Sequence, residues 1–422
     1  MSSTSPIKNL TTKKRKLNSN PNSNSNSNSK KPKSKKAKPP SKPTSNIPED
    51  NRLHKINTVN LSPKCAKQFS SKDELNKLYS KMVSDGFFNS LNKFTGVNSK
   101  KKPSTNWTGC EDRSKIEEYE TNELGMKFYI TLCRILGRYL DLCWGKIRDK
   151  DGVAVKPAKK ECVLCATIHN CKKSPCDPFN KIQIVTYTVE HSTKHSTTLV
   201  LLPNAFPYLP NHWLITTNNP GSNHHTQYDI TKIEILKSLG SISEKLCIEP
   251  NDTIFFTGMA GNSLEHFHAH YVQFNFPIYE IIEDYIKKNP DGIKKKPDGP
   301  FIKEPCSIYV LNKEQSWVTC LVIRSIDINI LITKVLYVLL KKIEEQPNMT
   351  SNFSIHKNGA TYECILFARK TDVKGLLNYG VNELMGYVNI SSKADSAKHT
   401  IENIKKHLEQ TNNVNTLVKI LE

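Results

Sequence analysis

Large apolar residues are almost absent from positions 1–48 and recur throughout the rest of the chain, so only the later part can bury enough surface to order itself. Within that later part the period keeps changing. Leu75, Leu78, Tyr79 and Met82 follow Ser71-Lys72-Asp73-Glu74, a run with capping-box spacing, and predict a helix. Helical intervals recur over residues 126–147, and residues 49–155 read as a helical region that either docks against the rest of the chain or meets a partner. Further on, residues 201–217 read as an apolar strand, a proline-marked turn and a second apolar strand. Residues 266–271 alternate His266, His268 and His270 with Phe267, Ala269 and Tyr271, the period of a β-strand. Residues 317–325 read as a strand, 326–342 as an apolar-faced helix and 362–369 as another strand, which predicts an α+β fold. Residues 287–303, rich in Lys, Pro, Asp and Gly, read as an exposed connector. The organisation expected is a tail over 1–48, the helical region over 49–155, one unit over 156–286, a connector over 287–304 and a last unit over 305–422. The longest apolar helix, near residues 328–340, is interrupted by Lys334 and too short to span a bilayer, so a soluble protein without a membrane partner is expected.

The alternation at His266, His268 and His270 puts three imidazoles on one face of a strand. Histidine can be a nucleophile, a proton carrier or a metal ligand near pH 7, so the face concentrates reactivity that packing does not need. Gly261-Asn262-Ser263 immediately before it is a polar turn that brings backbone N–H groups and a hydroxyl alongside, which suits a phosphate oxygen. Two simpler readings exist: hydrogen-bonded core histidines, or a chelate, since alternate strand residues lie about 6.6 Å apart.

The run Gly261-x-Ser263-x-x-His266-x-His268-x-His270 resembles the active-site strand of the histidine-triad (HIT-like) superfamily, and Ser263-x-x-His266-x-His268 also resembles its galactose-1-phosphate uridylyltransferase branch. Upstream, Asn204-Ala205-Phe206-Pro207 followed by Pro210-Asn211-His212-Trp213-Leu214-Ile215 resembles a segment of the diadenosine tetraphosphate phosphorylases. The resemblance covers about Cys162 to the C-terminus and implies two HIT-like antiparallel-sheet units with flanking helices there; the helical region and a disordered basic tail stand in front of it. It implies that His268 is the nucleophile, that His270 contacts the phosphate, that Ser263 supports the leaving oxygen and that Asn204 contacts the ribose, although Asn204 equally suits a plain turn. Chemistry agrees: a neutral imidazole needs no general base to attack the α-phosphorus and form a nucleotidyl-histidine. Water, phosphate or a sugar phosphate then takes the group. One departure matters. Transferases and phosphorylases of the superfamily usually carry Gln where this chain has His270, which argues for hydrolysis, whereas Glu383-Leu384-Met385-Gly386 resembles the second half of the larger transferring enzymes. The function expected is therefore a nucleotidyl hydrolase or transferase acting on nucleoside phosphates or dinucleoside polyphosphates, with a non-catalytic nucleotide- or nucleic-acid-binding module as the rival.

The 12 cysteines are unevenly spaced and suggest a reducing, intracellular compartment, nucleus or cytoplasm. Cys162-Val163-Leu164-Cys165 has the gap of a tetrahedral zinc half-site. The resemblance completes it with His266 and with His224 or His225, giving a structural zinc; a local knot of Cys162, Cys165, Cys171, Cys176 and His169 is the rival.

Charge enters last. The net +21 is concentrated in residues 1–48, where twelve Lys and Arg meet no acidic residue. Lys13-Lys14-Arg15-Lys16 and the Lys-rich run over 30–38 resemble a two-part nuclear localisation signal or a nucleic-acid arm; a solubilising extension is the plain alternative. No aromatic residue interleaves them, so any nucleic-acid contact there would be phosphate-directed and salt-sensitive. The partners expected are a nucleotide substrate, non-specific nucleic acid through the tail, and a second copy of the chain as a homodimer.

Overall fold

The computed structural model describes residues 66–84, 117–121, 126–132, 147–148, 154–155, 164, 184–204, 207–218, 225–260, 266–290, 306–312, 316–371, 379–390 and 401–411. The tail expected over 1–48 and the connector over 287–304 lie outside these, apart from residues 287–290.

Fifteen strands are seen among the described residues. β1 (Ala66–Gln68), β2 (Glu117–Thr121), β3 (Met126–Leu132), β4 (Ile147–Arg148) and β5 (Ala154–Val155) come first. β6 (Ile184–Ser192), β7 (His195–Pro203), β8 (Trp213–Thr217), β9 (Asp252–Thr257) and β10 (His268–Gln273) follow. β11 (Cys306–Leu311), β12 (Cys320–Ser325), β13 (Met349–Asn358), β14 (Thr361–Lys370) and β15 (Tyr387–Ile390) complete the set. Ten of them form one sheet in the order β1-β6-β7-β8-β10-β9-β13-β14-β12-β11. Apart from the parallel β1–β6 pair, every neighbour in it is antiparallel.

The order has an internal correspondence. β7-β8-β10-β9 on one side of the β9–β13 seam is matched by β11-β12-β14-β13 on the other, each a hairpin, a helix and a second hairpin. The strands of residues 156–286 and 305–422 thus share one continuous sheet.

Because side chains alternate across a strand, the sheet has two faces. On one, Leu201, Trp213, Ile254, Phe256, Phe267, Ala269, Tyr271, Phe353 and Leu366 pack beneath three helices. These are α1 (Lys72–Ser84), α2 (Ile233–Leu246) and the long helix α4, which runs from Ile328–Ile330 through a π-helical stretch Leu331–Leu336 to Tyr337–Glu344. Asp327 starts α4, its side chain accepting from the Asn329 and Ile330 N–H groups at 2.7 and 3.3 Å. The other face is covered by α3 (Pro277–Lys288), the short α5 (Val381–Leu384) with β15, and α6 (Ile401–Thr411), around Phe255, Val272, Ile365 and Phe367.

The helix predicted over residues 72–82 is present, and it docks: Leu75, Leu78, Tyr79 and Met82 are buried, and Lys72 pairs with the fully buried Asp252 on β9. Of the helix predicted over 126–147, residues 133–146 lie outside the described residues, and the start is corrected. Residues 126–132 form β3, which pairs with β2 and β15. Met126, Phe128, Ile130 and Leu132 alternate with Lys127, Tyr129 and Thr131, a period of two rich in β-formers, and that outweighs the looser helical spacing. The strand read from residue 317 begins at Cys320; Trp317 and Val318 are buried ahead of it, Trp317 donating to the Leu384 C=O at 2.9 Å. Gly386, at φ +94°, passes under the Trp317 ring where a Cβ would not fit, which accounts for the glycine there. Among the described residues no helix is long and apolar enough to cross a membrane.

Candidate functional site

β10 is the strand predicted at residues 266–271, and it lies inside the sheet between β8 and β9. His268 stands opposite Thr216, and His270 opposite Leu214 and Phe255. Phe267, Ala269 and Tyr271 enter the apolar core on the far side, so His268 and His270 share the opposite face as the alternation predicts. His266 lies just before the strand, in an isolated bridge with Thr226.

His268 is held on several sides. Its Nδ1 is 2.8 Å from the His266 C=O and 3.2 Å from Gln227 Nε2. Gln227 Nε2 is a donor already facing the Thr257 and His268 carbonyls, both at 3.1 Å, while its Oε1 accepts the His268 N–H at 3.1 Å. The shorter contact decides: Nδ1–H donates to the His266 carbonyl, which puts the ring's lone pair on Nε2. That tautomer is the one a nucleophile needs.

His270 belongs to a second pair. Its Nδ1 lies 2.8 Å from His212 Nε2, and its ring stacks on Phe255 at 4.7 Å between centroids and 7° between planes. Burial, helped by the charge that His268 can carry, pulls His212 down to about 3, and burial with His212 and His268 pulls His270 well below the usual imidazole range. Both rings are neutral at pH 7. If His212 Nε2–H donates to His270, the buried His212 Nδ1 is left as a lone pair, cheaper than an orphaned N–H, and His270 presents Nε2–H to a ligand. That arrangement turns the Asn204 amide oxygen toward His212, whose Nε2 is 3.1 Å from the Asn204 amide. Asn204 also donates its N–H to the His212 C=O at 2.8 Å. In this structure Asn204 and His212 therefore act on His270, a link that motif spacing does not reveal.

Ser263, Gly261 and Asn262, predicted to hold phosphate, lie outside the described residues, as do Cys162, Cys165 and His224 of the predicted zinc site. His225 is described: its C=O accepts the Phe267 N–H at 2.7 Å, and its Nδ1 is 3.1 Å from Thr217 Oγ1. His225 and His266 thus lie on segments joined through Phe267 and Thr226, but two imidazoles do not make a tetrahedral site, and among the described residues no cluster of three metal-ligating side chains occurs. His268 is 3% exposed. A groove of about 380 Å³ on the same face is lined by Tyr279, Glu280, Glu283, Asp284 and His356 instead of the histidines of β10.

Gln227 was invisible to sequence reasoning. It sits in a short 3-10 turn, Gln227–Thr231, 41 residues before His268, and no periodicity or motif marks it. Its neighbour Thr226 forms the bridge with His266, a placement that is a product of sheet topology alone.

Two imidazoles on one face, His268 with its lone pair on Nε2 and the neutral His270 with its N–H on Nε2, form an arrangement suited to attack on a phosphoryl group and to holding its oxygens. No family model matches the chain, and no curated protein does. Among solved structures it is similar to yeast Ap4A phosphorylase Apa2 in complex with Ap4A (13% identity, TM-score 0.44), over 79% of this chain and 96% of that one. It is similar to the same enzyme in complex with AMP (13% identity, TM-score 0.46), over 79% and 95%. A uridylyltransferase mutant matches at 15% identity and a TM-score of 0.29, over 50% of this chain and 86% of that one. None of these reaches a TM-score of 0.5, so what this site does has to be argued from its own geometry.

Proposed function

We propose that the protein is a nucleotidyl-transferring enzyme acting on nucleoside phosphates or dinucleoside polyphosphates. The observation that carries this reading is the fixed Nδ1–H tautomer of His268, which leaves Nε2 nucleophilic without a general base. In the first step His268 Nε2 attacks the α-phosphorus in line; a P–N bond forms, the P–O bond to the next phosphate breaks, and the leaving phosphate takes the electron pair. His270 Nε2–H hydrogen-bonds the transferring phosphoryl oxygen, held for that task by His212 and Asn204. In the second step an acceptor oxygen breaks the P–N bond and restores the imidazole. Hydrolysis, phosphorolysis and transfer to a sugar phosphate differ only in that acceptor. The correspondence of β7-β8-β10-β9 with β11-β12-β14-β13 supports two related HIT-like units. We also propose a structural zinc on Cys162, Cys165, His266 and one of His224 and His225; no step uses it, and elemental analysis of the purified protein checks it. The basic tail would add salt-sensitive contact with nucleic acid, and a homodimer is part of the same reading.

The test is incubation of the full chain with labelled nucleoside triphosphates and dinucleoside polyphosphates, followed by mass spectrometry for an acid-labile adduct on the peptide that contains His268. An adduct with turnover is expected. Tight binding with neither adduct nor cleavage would favour the non-catalytic binding module instead.

A further inference from the structure

Gly258, Met259 and Ala260 leave the end of β9 and lead toward His266, and their backbone is held by the other half of the chain. The Gly258 N–H donates to Asn352 Oδ1 at 2.8 Å, and the Met259 N–H donates to Thr350 Oγ1 at 3.2 Å. The Ala260 C=O accepts from Asn352 Nδ2 and from the Arg369 guanidinium, both at 3.3 Å. Asn352 and Thr350 stand on β13 and Arg369 on β14, Thr350 directly opposite Arg369. At Gly258 a Cβ would overlap the Ser351 C=O and the Thr350 hydroxyl, so this strap lies flush on β13. The strap also starts where the nucleophile is held: Thr257, the residue before it, offers its C=O to Gln227 and its hydroxyl to the Val381 N–H.

Arg369 is an expensive residue to place there. It is 1% exposed, its Nη1 also donates to the Tyr379 C=O, and its Nε has no partner among the described residues. Burial lowers it only to about 10, so it stays charged at neutral pH. The acidic group facing it, Glu383, is raised to about 6 by burial, and its oxygens are engaged by the Gly380 N–H and the Asn382 amide. An apolar side chain would fill such a position at lower desolvation cost, so stability alone is a poor reason for a guanidinium.

We propose that Arg369 is a positioning residue of the nucleotidyl-transfer site: with Asn352 and Thr350 it fixes the strap from the second half of the chain, and through it the Gln227–His268 pair that meets the phosphoryl group. The inference rests on the function proposed above. Its test compares full-length Arg369→Met, Arg369→Lys and Thr350→Val with wild type in steady-state turnover, in the rate of His268 adduct formation and in melting temperature. Arg369→Met should lower kcat by about 10²-fold with KM within about threefold, because the loss falls on the transition state. Arg369→Lys, which keeps the charge and one donor, should recover part of it. Thr350→Val, which removes one strap bond, should lower kcat several-fold while melting close to wild type. A folded Arg369→Met with wild-type kcat overturns the inference, as does a loss confined to KM. Should Arg369→Met not fold, Thr350→Val decides, and wild-type kcat in that variant overturns the inference. If wild type itself forms no adduct, the function fails and this inference with it; if wild type forms one and the variants match it, the inference alone fails.

Discussion

Ile254 and Phe256 of β9 point into a core of aliphatic and aromatic side chains, whereas Thr253 and Thr257 on the same strand point to the face that carries His268. The division runs across the sheet. Phe353 and Ile355 oppose Asn352, Ser354 and His356 on β13, and Cys364 and Leu366 oppose Glu363 and Arg369 on β14. The apolar face is filled by volume apart from one buried ion pair, Lys72 with Asp252. The polar face is equally buried yet holds neutral histidines, a glutamate raised to about 7 beside Arg324, and a charged arginine. Beyond the Lys72–Asp252 pair of the first face, the buried charged and imidazole groups lie on the side where chemistry is proposed, and so does the cost of desolvating them.

Substitutions on the two faces should have different consequences. Phe256→Ala, in the stack with Phe267 and Phe353, should cost about 3–5 kcal/mol in chemical denaturation and leave the specific activity of the folded fraction unchanged. A fall in that specific activity would show the faces to be coupled. Lys72→Met, which leaves the Asp252 carboxylate without its cation, should cost about 3 kcal/mol, read in the same way. Tyr271, Gln273 and the Ile248 and Glu249 N–H groups still donate to Asp252, so a larger loss is not expected.

On the polar face the effects should move to rate. Gln227→Ala removes the amide that orients His268 and should lower kcat by about 10²-fold, near 2.7 kcal/mol of barrier, with a smaller effect on unfolding. Stopped-flow adduct formation measures it. An unchanged rate would mean that the His266 carbonyl suffices.

The smallest effect per group is pH-dependent. His212 and His356 are lowered from 6.5 to about 3, so the stability they contribute as neutral rings is lost as pH falls from 6.5 towards 3. Glu363 and Glu383 are raised to about 7 and about 6, so their contribution has the opposite sign and is complete once pH falls to their ordinary 4.5. Between pH 7 and 4.5 the two sets offset one another. Below 4.5 the loss from these two rings is no longer offset by the two glutamates, and unfolding free energy should fall by about 1.4 kcal/mol per pH unit per ring. Denaturant midpoints at pH 7, 5.5, 4.5 and 3.5 test this; a midpoint unchanged from pH 4.5 to 3.5 contradicts it.

The apolar face was the more legible of the two. Period two at residues 266–271, and three-and-four spacing at Leu75, Leu78, Tyr79 and Met82, each report burial, which periodicity measures directly. Residues 126–132 were misread because Met126, Ile130 and Leu132 fit a helix nearly as well as a strand, and only β2 and β15 settle the choice. The long-range polar links could not be read. His212, backed by Asn204, reaches His270, Gln227 reaches His268, and Arg369 reaches Ala260 across 109 positions because strand order places them there. Hydrogen bonds of that kind leave no local pattern.

The whole proposal turns on His268 being a nucleophile held in one tautomer. Single-turnover reaction of wild type and His268→Gly with an α-labelled nucleoside triphosphate, quenched in base and read by mass spectrometry, addresses it without intermediate assumptions. A stoichiometric acid-labile nucleotidyl adduct is expected on the His268 peptide of wild type and none in His268→Gly, with turnover lost by a factor on the order of 10³ or more. Equal turnover by both proteins, or an adduct on any other residue, would contradict it.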